Sequence, residues 1–321
     1  MTQDAIFAPS GPTDVIFMDK LPGVPSLFAK LICLSMVRPT TLVPGTTLEN
    51  KCVVYPGVTI DSDKLETFKQ VCGYKTGEQT VPAPFIQILF IGVVSKFIGS
   101  SFFPISPMGL IQVGQSYELK QPLSPDQPLD LFCRLLDMTQ TEKGIHTRVL
   151  MEAVPAGSRG SGSDIKSDPD ETDLIWQGIA TYFTRAKTKQ KKEKKQREPD
   201  TPLPIMETIQ VPENTGRKYA AVSRDYNPHH LYGWTAKFIG FKQAIAHGMW
   251  SLARAGASLE KAAGFPELSG MEGALKLPIF MPATITLGYE FTGTEAAFEL
   301  RDKDTGVPHL KGTYRYLKTP A

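Results

Sequence analysis

Two stretches of this chain can be laid on each other, and that constrains the fold more than any other feature. Leu119-Lys-Gln-Pro-Leu123 matches Leu275-Lys-Leu-Pro-Ile279 at an offset of 156 residues (275 − 119), and at the same offset Leu129 and Leu131 meet Ile285 and Leu287. Phe68-Lys-Gln-Val-Cys-Gly-Tyr74 resembles Tyr219-Ala-Ala-Val-Ser-Arg-Asp225 at an offset of 151 (219 − 68). Such self-similarity marks a tandem duplication, in which both copies adopt one fold. With 321 residues, each copy is long enough to bury a core.

The pattern within each copy predicts that fold. Residues 85–94 are apolar nearly all round, which suits a helix enclosed on most sides, and Pro82 and Pro84 fit its start. Residues 64–73 read as a helix ended by Gly73. In the second half a short helix begins at Lys218. A longer one over 245–259 sets Met249, Leu252, Ala253, Gly256 and Leu259 on one face, with Gly264 and Pro266 as its stop. Alternation predicts strands over 129–135, 147–153 and 176–182, then again over 284–291, 297–301 and 309–316, with turns at 142–144 and 304–306. Each half is then one long buried helix with about four or five antiparallel strands around it. This is an α+β architecture whose two units form one continuous curved sheet.

The remaining segments divide the chain. Residues 1–45 carry Pro9, Pro12, Pro22, Pro25, Pro39 and Pro44, so they are expected to be a lead-in with only a short helix near 27–36. The first unit spans 46–186, with a flexible Gly/Ser-rich hairpin insertion over 157–172. Residues 187–204 form a linker that opens with the basic run 187–197, and 205–321 form the second unit.

Composition narrows the function. The 35 basic and 33 acidic residues nearly cancel, and the basic run has no interleaved aromatics, so no nucleic-acid partner is implied. Cys33, Cys52, Cys72 and Cys133 show no metal-ligand or redox spacing. With no signal-peptide pattern at the start, reduced thiols and a cytoplasmic location are expected. The longest apolar run, 85–98, includes Gln87 and Lys96 and falls short of the ~20 residues a membrane span needs.

The chemistry concentrates at 219–249, which holds His229, His230 and His247 out of five histidines. Asp225 and His230 lie five residues apart across an Asn227-Pro turn and can converge on one water, with a histidine near its working pKa. Tyr74 takes the place of Asp225 in the first copy, and His146 is the sole histidine before 229. One active site per chain is therefore expected.

Ser223-Arg-Asp225-Tyr-Asn227-Pro-His229-His230 resembles the S-x-D-x-N-P-x-H motif of MaoC-like (R)-specific enoyl-CoA hydratases. Gly240-Phe through Ala246-His-Gly-Met249 matches the segment that follows it there. Val71-Cys-Gly-Tyr74 and residues 109–123 resemble the inactive first half of double hot-dog members. The resemblance implies a tandem hot-dog fold and reversible hydration of trans-2-enoyl-CoA to (3R)-hydroxyacyl-CoA, with no metal or redox cofactor.

It also implies roles for individual residues. Asp225 and His230 are the acid–base pair, Asn227 positions them, Ser223 caps the loop, and the Gly248 N–H binds the thioester oxygen. Arg217, Lys218, Arg254 and Lys276 are candidates for the coenzyme A phosphates, and His229, His247 and Met249 for the pocket wall. Residues 85–94 would line space for the acyl chain. The chain departs from the motif at Arg224, where Gly is usual, and at His229, where Ile or Leu is usual. The alternatives are a dehydratase acting on acyl-carrier-protein thioesters and a non-catalytic acyl-thioester binder. Either a monomer or a homodimer is compatible with two units in one chain.

Overall fold

A computed structural model of the protein describes residues 5–43, 45–160, 164–166, 172–186, 201–264 and 269–316. The basic run 187–197 and the middle of the 157–172 insertion lie outside the described residues. The first half runs β1 (Ala5–Phe7), β2 (Pro9–Phe17), α1 (Val24–Val37), β3 (Leu48–Val58), α2 (Ser62–Cys72), α3 (Ala83–Leu89), α4 (Ile91–Ile98), β4 (Ile111–Leu119), β5 (Leu129–Thr141), β6 (Gly144–Pro155) and β7 (Trp176–Arg185). The second runs β8 (Ile205–Val211), α5 (Thr215–Ser223), α6 (Pro228–Leu231), α7 (Gly233–Phe238), α8 (Gly248–Ala262), β9 (Ser269–Leu275), β10 (Ala283–Thr292), β11 (Glu295–Asp302) and β12 (Pro308–Tyr316).

The duplication is visible in the strand order. The first half reads β3-β5-β6-β7-β4 and the second, from its own edge, β8-β10-β11-β12-β9; the two meet where β4 pairs antiparallel with β9. In that seam Ser116 is paired with Glu272, and 272 − 116 is 156, the offset of the sequence repeat. The flanking pairs Gln115 with Gly273 and Tyr117 with Met271 exchange under the same offset. A local two-fold axis therefore passes between Ser116 and Glu272, and one sheet serves both copies.

The sheet closes around α3, α4 and α8, whose apolar side chains join one core with the inward strand faces. Phe68 meets Phe85 edge-on at 5.4 Å, Phe90 stacks on Trp176 at 5.3 Å, and all four are fully buried. The Trp250 Nε1–H donates to the Val71 carbonyl at 3.0 Å, tying α8 to α2 across the two halves.

Three expectations are corrected. The long apolar helix is two helices, because the Phe90 N–H turns back to the Gln87 carbonyl, tightening the backbone where its ring meets Trp176. The proline-rich lead-in contains a nine-residue strand, β2, parallel to β3. β2 ends the sheet, and an edge strand tolerates prolines such as Pro9 and Pro12. The described parts of the 157–172 insertion fold back over the outer sheet face, burying Ile165, Arg159 and the adjoining Leu174. Arg159 lies 4.8 Å over the Phe132 ring, donates to Asp173 and reaches Glu152 at 3.8 Å.

Candidate active site

Helix α5 ends at Arg224 in the left-handed conformation, φ 64°, the only non-glycine with positive φ among the described residues. Glycine adopts this conformation without a Cβ penalty, which is why glycine is the expected residue there. The reversal places Asp225 at the start of a tight loop, where its N–H donates to Ser223 Oγ at 3.2 Å. Two donors from Asn227, Nδ2–H at 2.6 Å and the backbone N–H at 3.2 Å, converge on Asp225 Oδ1. Oδ2 is left to face the histidines.

Pro228 opens α6 at a position where its missing N–H costs nothing, and the turn carries His230 inward until it is 8% exposed. Its Nδ1 lies 2.8 Å from the Ile245 carbonyl. A carbonyl only accepts, so Nδ1 carries the proton and Nε2 presents a lone pair. That lone pair is 4.0 Å from Asp225 Oδ2. One water or hydroxyl oxygen spans such a gap while hydrogen bonding to both atoms at about 2.8 Å.

His247 belongs to the same constellation. Its ring stacks on His230 with 3.7 Å between centroids and 23° between planes. Its Nε2–H donates to the Asp225 carbonyl at 3.0 Å and lies 3.8 Å from Asp225 Oδ2. Tyr219 packs against it at 4.9 Å, and Nδ1 is buried without a partner among the described residues. His229 sits edge-on to His230 and against Phe241, while its carbonyl accepts the Ile245 N–H.

Burial dominates the electrostatics. It pushes His230 down to about 3, assisted by the stacked His247 and opposed by Asp225 and the Ile245 carbonyl. This corrects the expectation of a histidine near its working pKa, since an enclosed imidazole sheds its charge. His229 falls to about 4 through burial and then His230, and His247 is lowered by burial. Burial would raise Asp225, yet His247, His230 and the Asn227 N–H outweigh it and hold the carboxyl below its ordinary value. At neutral pH the site is a carboxylate facing neutral imidazoles.

The other sequence candidates separate. Gly248 is the first residue of α8, so its N–H lies outside the helical ladder, and a Cβ there would come within 2.6 Å of Leu275 Cδ1. Met249 is half-buried beside Gln112 of β4. Arg217 is occupied locally, donating to the Leu231 carbonyl and lying over Tyr232. Arg254 is bound to Glu207 and Ser258, whereas Lys218 and Lys276 are exposed.

Sequence reasoning missed Tyr182 of β7 and Gln112, both from the first half. Tyr182 is close enough to Asp225 that the carboxylate, after burial and Cys133, helps keep its phenol protonated. Nothing local in the sequence links these positions to a loop in the other copy. Asp225, His230 and His247 also offer ligand atoms within 4.8 Å of one another. The His247 Nε2–H, however, is already given to a carbonyl.

A sheet wrapped twice around buried helices, with the Asp225–His230 loop beside the start of one of them, defines a double hot-dog protein. Residues 189–313 match the family model described as "MaoC like domain". The protein 3-hydroxyacyl-thioester dehydratase X of Mycobacterium tuberculosis is 27% identical over 287 residues, covering 86% of this chain and 93% of that protein. The crystal structure of HtdX of the same organism superposes with a TM-score of 0.66 at 22% identity, over 83% of this chain and 100% of that chain. A MaoC-like dehydratase from Phytophthora capsici superposes with a TM-score of 0.63 at 19% identity, over 83% of this chain and 95% of that chain. The second half of the chain is thus similar to MaoC-like domains, and the likeness to a 3-hydroxyacyl-thioester dehydratase supports a hydro-lyase.

Proposed function

We propose that the protein interconverts 3-hydroxyacyl and trans-2-enoyl thioesters at Asp225 and His230, with the (3R)-hydroxyacyl-CoA/enoyl-CoA pair as its substrates. The observation that carries this reading is the 4.0 Å gap between Asp225 Oδ2 and His230 Nε2, with each group fixed from behind by Asn227 and by Ile245. In hydration, His230 Nε2 takes a proton from the bridging water as its oxygen bonds to C3, and the imidazolium returns a proton to C2. Asp225 orients the water and stabilises the transient imidazolium. Charge developing on the thioester oxygen is met by the Gly248 N–H at the positive end of α8. The dehydration direction uses the same groups in reverse.

The first half supplies no acid or base. Its contribution is space: α3 packs against α5, and its apolar side chains suit an acyl chain. The test follows enoyl-thioester absorbance with crotonyl-CoA and longer enoyl-CoAs. Asp225→Asn and His230→Ala are each expected to lower kcat by about 100-fold or more. Variants as active as wild type would remove the assignment. Equal-length coenzyme A and carrier-protein thioesters, compared by kcat/KM, decide which carrier is used.

A further inference from the structure

The local two-fold axis assigns a counterpart to the active site, and the structure has a cavity of about 640 Å³ there. Its walls are repeat equivalents of active-site parts. Tyr74 stands where Asp225 stands (225 − 74 is 151), and Leu119 and Leu123 stand where Leu275 and Ile279 stand, at the offset of 156. Leu275 touches Gly248, and the Ile279 carbonyl accepts the Ala246 N–H, so both positions help build the catalytic loop. Ala83 opens α3 as Gly248 opens α8. The last wall is the far end of α8, at Ala257 and Glu260.

The chemistry has been removed from this copy. Tyr74 offers neither a carboxylate nor an acceptor aligned with a histidine, and no histidine lines the cavity. Pro82 and Pro84 delete two of the N–H groups at the start of α3, and the Phe85 N–H is taken by the Pro82 carbonyl. The oxyanion donors of an active copy are therefore depleted.

Binding features persist. The Tyr74 hydroxyl is buried over Gly256 without a hydrogen-bond partner among the described residues. Glu260 faces the same space, hydrogen bonded to Ser269, and burial pushes its carboxyl up to about 8, so at neutral pH it is protonated. Val81, Leu119, Leu123 and Ala257 provide apolar walls, and Lys75 and Lys261 stand exposed at the rim. Hydroxyl donors in an apolar cleft suit a ligand with carbonyl acceptors and an aliphatic part.

We propose that this cavity is a second, non-catalytic acyl-thioester site, the relic of the first copy's active site retained for binding. The proposal rests on the thioester reading of the catalytic copy, whose shape the cavity inherits.

Titration calorimetry of the full chain with butyryl-CoA tests it, because that thioester has neither a double bond to hydrate nor a 3-hydroxyl to lose. Two molecules per chain are expected to bind. Thr80→Trp, at the exposed rim, and Ala257→Phe, in the wall, should each abolish one site and leave crotonyl-CoA turnover within about two-fold of wild type. Thr80→Trp keeps the test valid should Ala257→Phe not fold. A single site unaffected by either filler overturns the proposal while the catalytic reading stands on its own turnover assay. Two sites both indifferent to the fillers, no binding at all, or loss of turnover along with the site would overturn it as well.

Discussion

His230 and His247 lie face to face, 3.7 Å apart, and only His247 reaches behind Asp225 to its carbonyl. In the proposed mechanism His247 is thus a positioning residue, holding the backbone of the Asp225 carboxylate and limiting how readily His230 takes a charge. His247→Ala is expected to lower kcat by about 100-fold through displacement of Asp225. His247→Gln, which retains an N–H donor, should lose less. Removing a like-charge neighbour also raises His230, so the acid limb of the kcat/KM profile should move to higher pH in both variants. An unmoved limb would leave His247 with a packing role alone.

Arg224 holds a left-handed backbone that costs a residue with a Cβ about 1 kcal/mol. Arg224→Gly should relieve that strain and raise the melting temperature by a few degrees. Its side chain is exposed, so kcat is expected to stay near wild type. A lower melting temperature would show that the guanidinium contributes more than the strain takes away.

Stability should peak in the mildly acidic range. In the folded protein Glu260 sits at about 8, above its unfolded value near 4.5, so its contribution is complete below about 4.5 and is lost as pH rises through about 8. His229 and His230 lie at about 4 and about 3, below an unfolded value near 6.5. The unfolded chain therefore binds more protons between those limits, and stability is lost as pH falls below about 6.5. Glu260→Gln should abolish the decline toward pH 8 and leave the acid-side loss intact. Melting temperatures across the range check both limbs.

The outer sheet face depends on Arg159, almost wholly buried between Glu152 and Asp173 and over Phe132. Arg159→Ala leaves Glu152 buried with Arg134 as its remaining ion pair and strips the ring of its cover. The expected loss is about 3 kcal/mol of stability, measured by denaturant unfolding, with crotonyl-CoA turnover unchanged under native conditions.

Elements were legible in the sequence where one face alone is buried. β5, β6, β7, β10, β11 and β12 stand out by alternation, and α2 by its Gly73 cap. The strands at the seam were not seen, because β4 carries Gly114 and β9 carries glycines where neighbours crowd in. A Cβ on Gly273 would come within 2.6 Å of Leu252 and within 2.9 Å of Leu310. β3 contains Pro56, and β2 contains Pro9 and Pro12, which read locally as breaks although these strands lie at or next to the sheet edge.

The site divides in the same way. Asp225, Asn227 and His230 form one contiguous motif whose turn chemistry can be read from six residues. The contribution of His247 depends on a ring stack closed over 17 residues (247 − 230), and that of Tyr182 on the packing of the opposite half. The charge state of His230 comes from enclosure, which no local spacing encodes.

The pairing of Ser116 with Glu272 joins two copies of one fold through a single sheet. In a pair of identical subunits every substitution appears twice, so a tyrosine that replaces an aspartate in one copy replaces it in both. Here the partners are joined in a single polypeptide, and their association does not weaken on dilution. One copy was thereby free to accept Tyr74, Pro82 and Pro84 while the other kept its aspartate and histidine. The tether turns a symmetric assembly into one whose two faces can diverge.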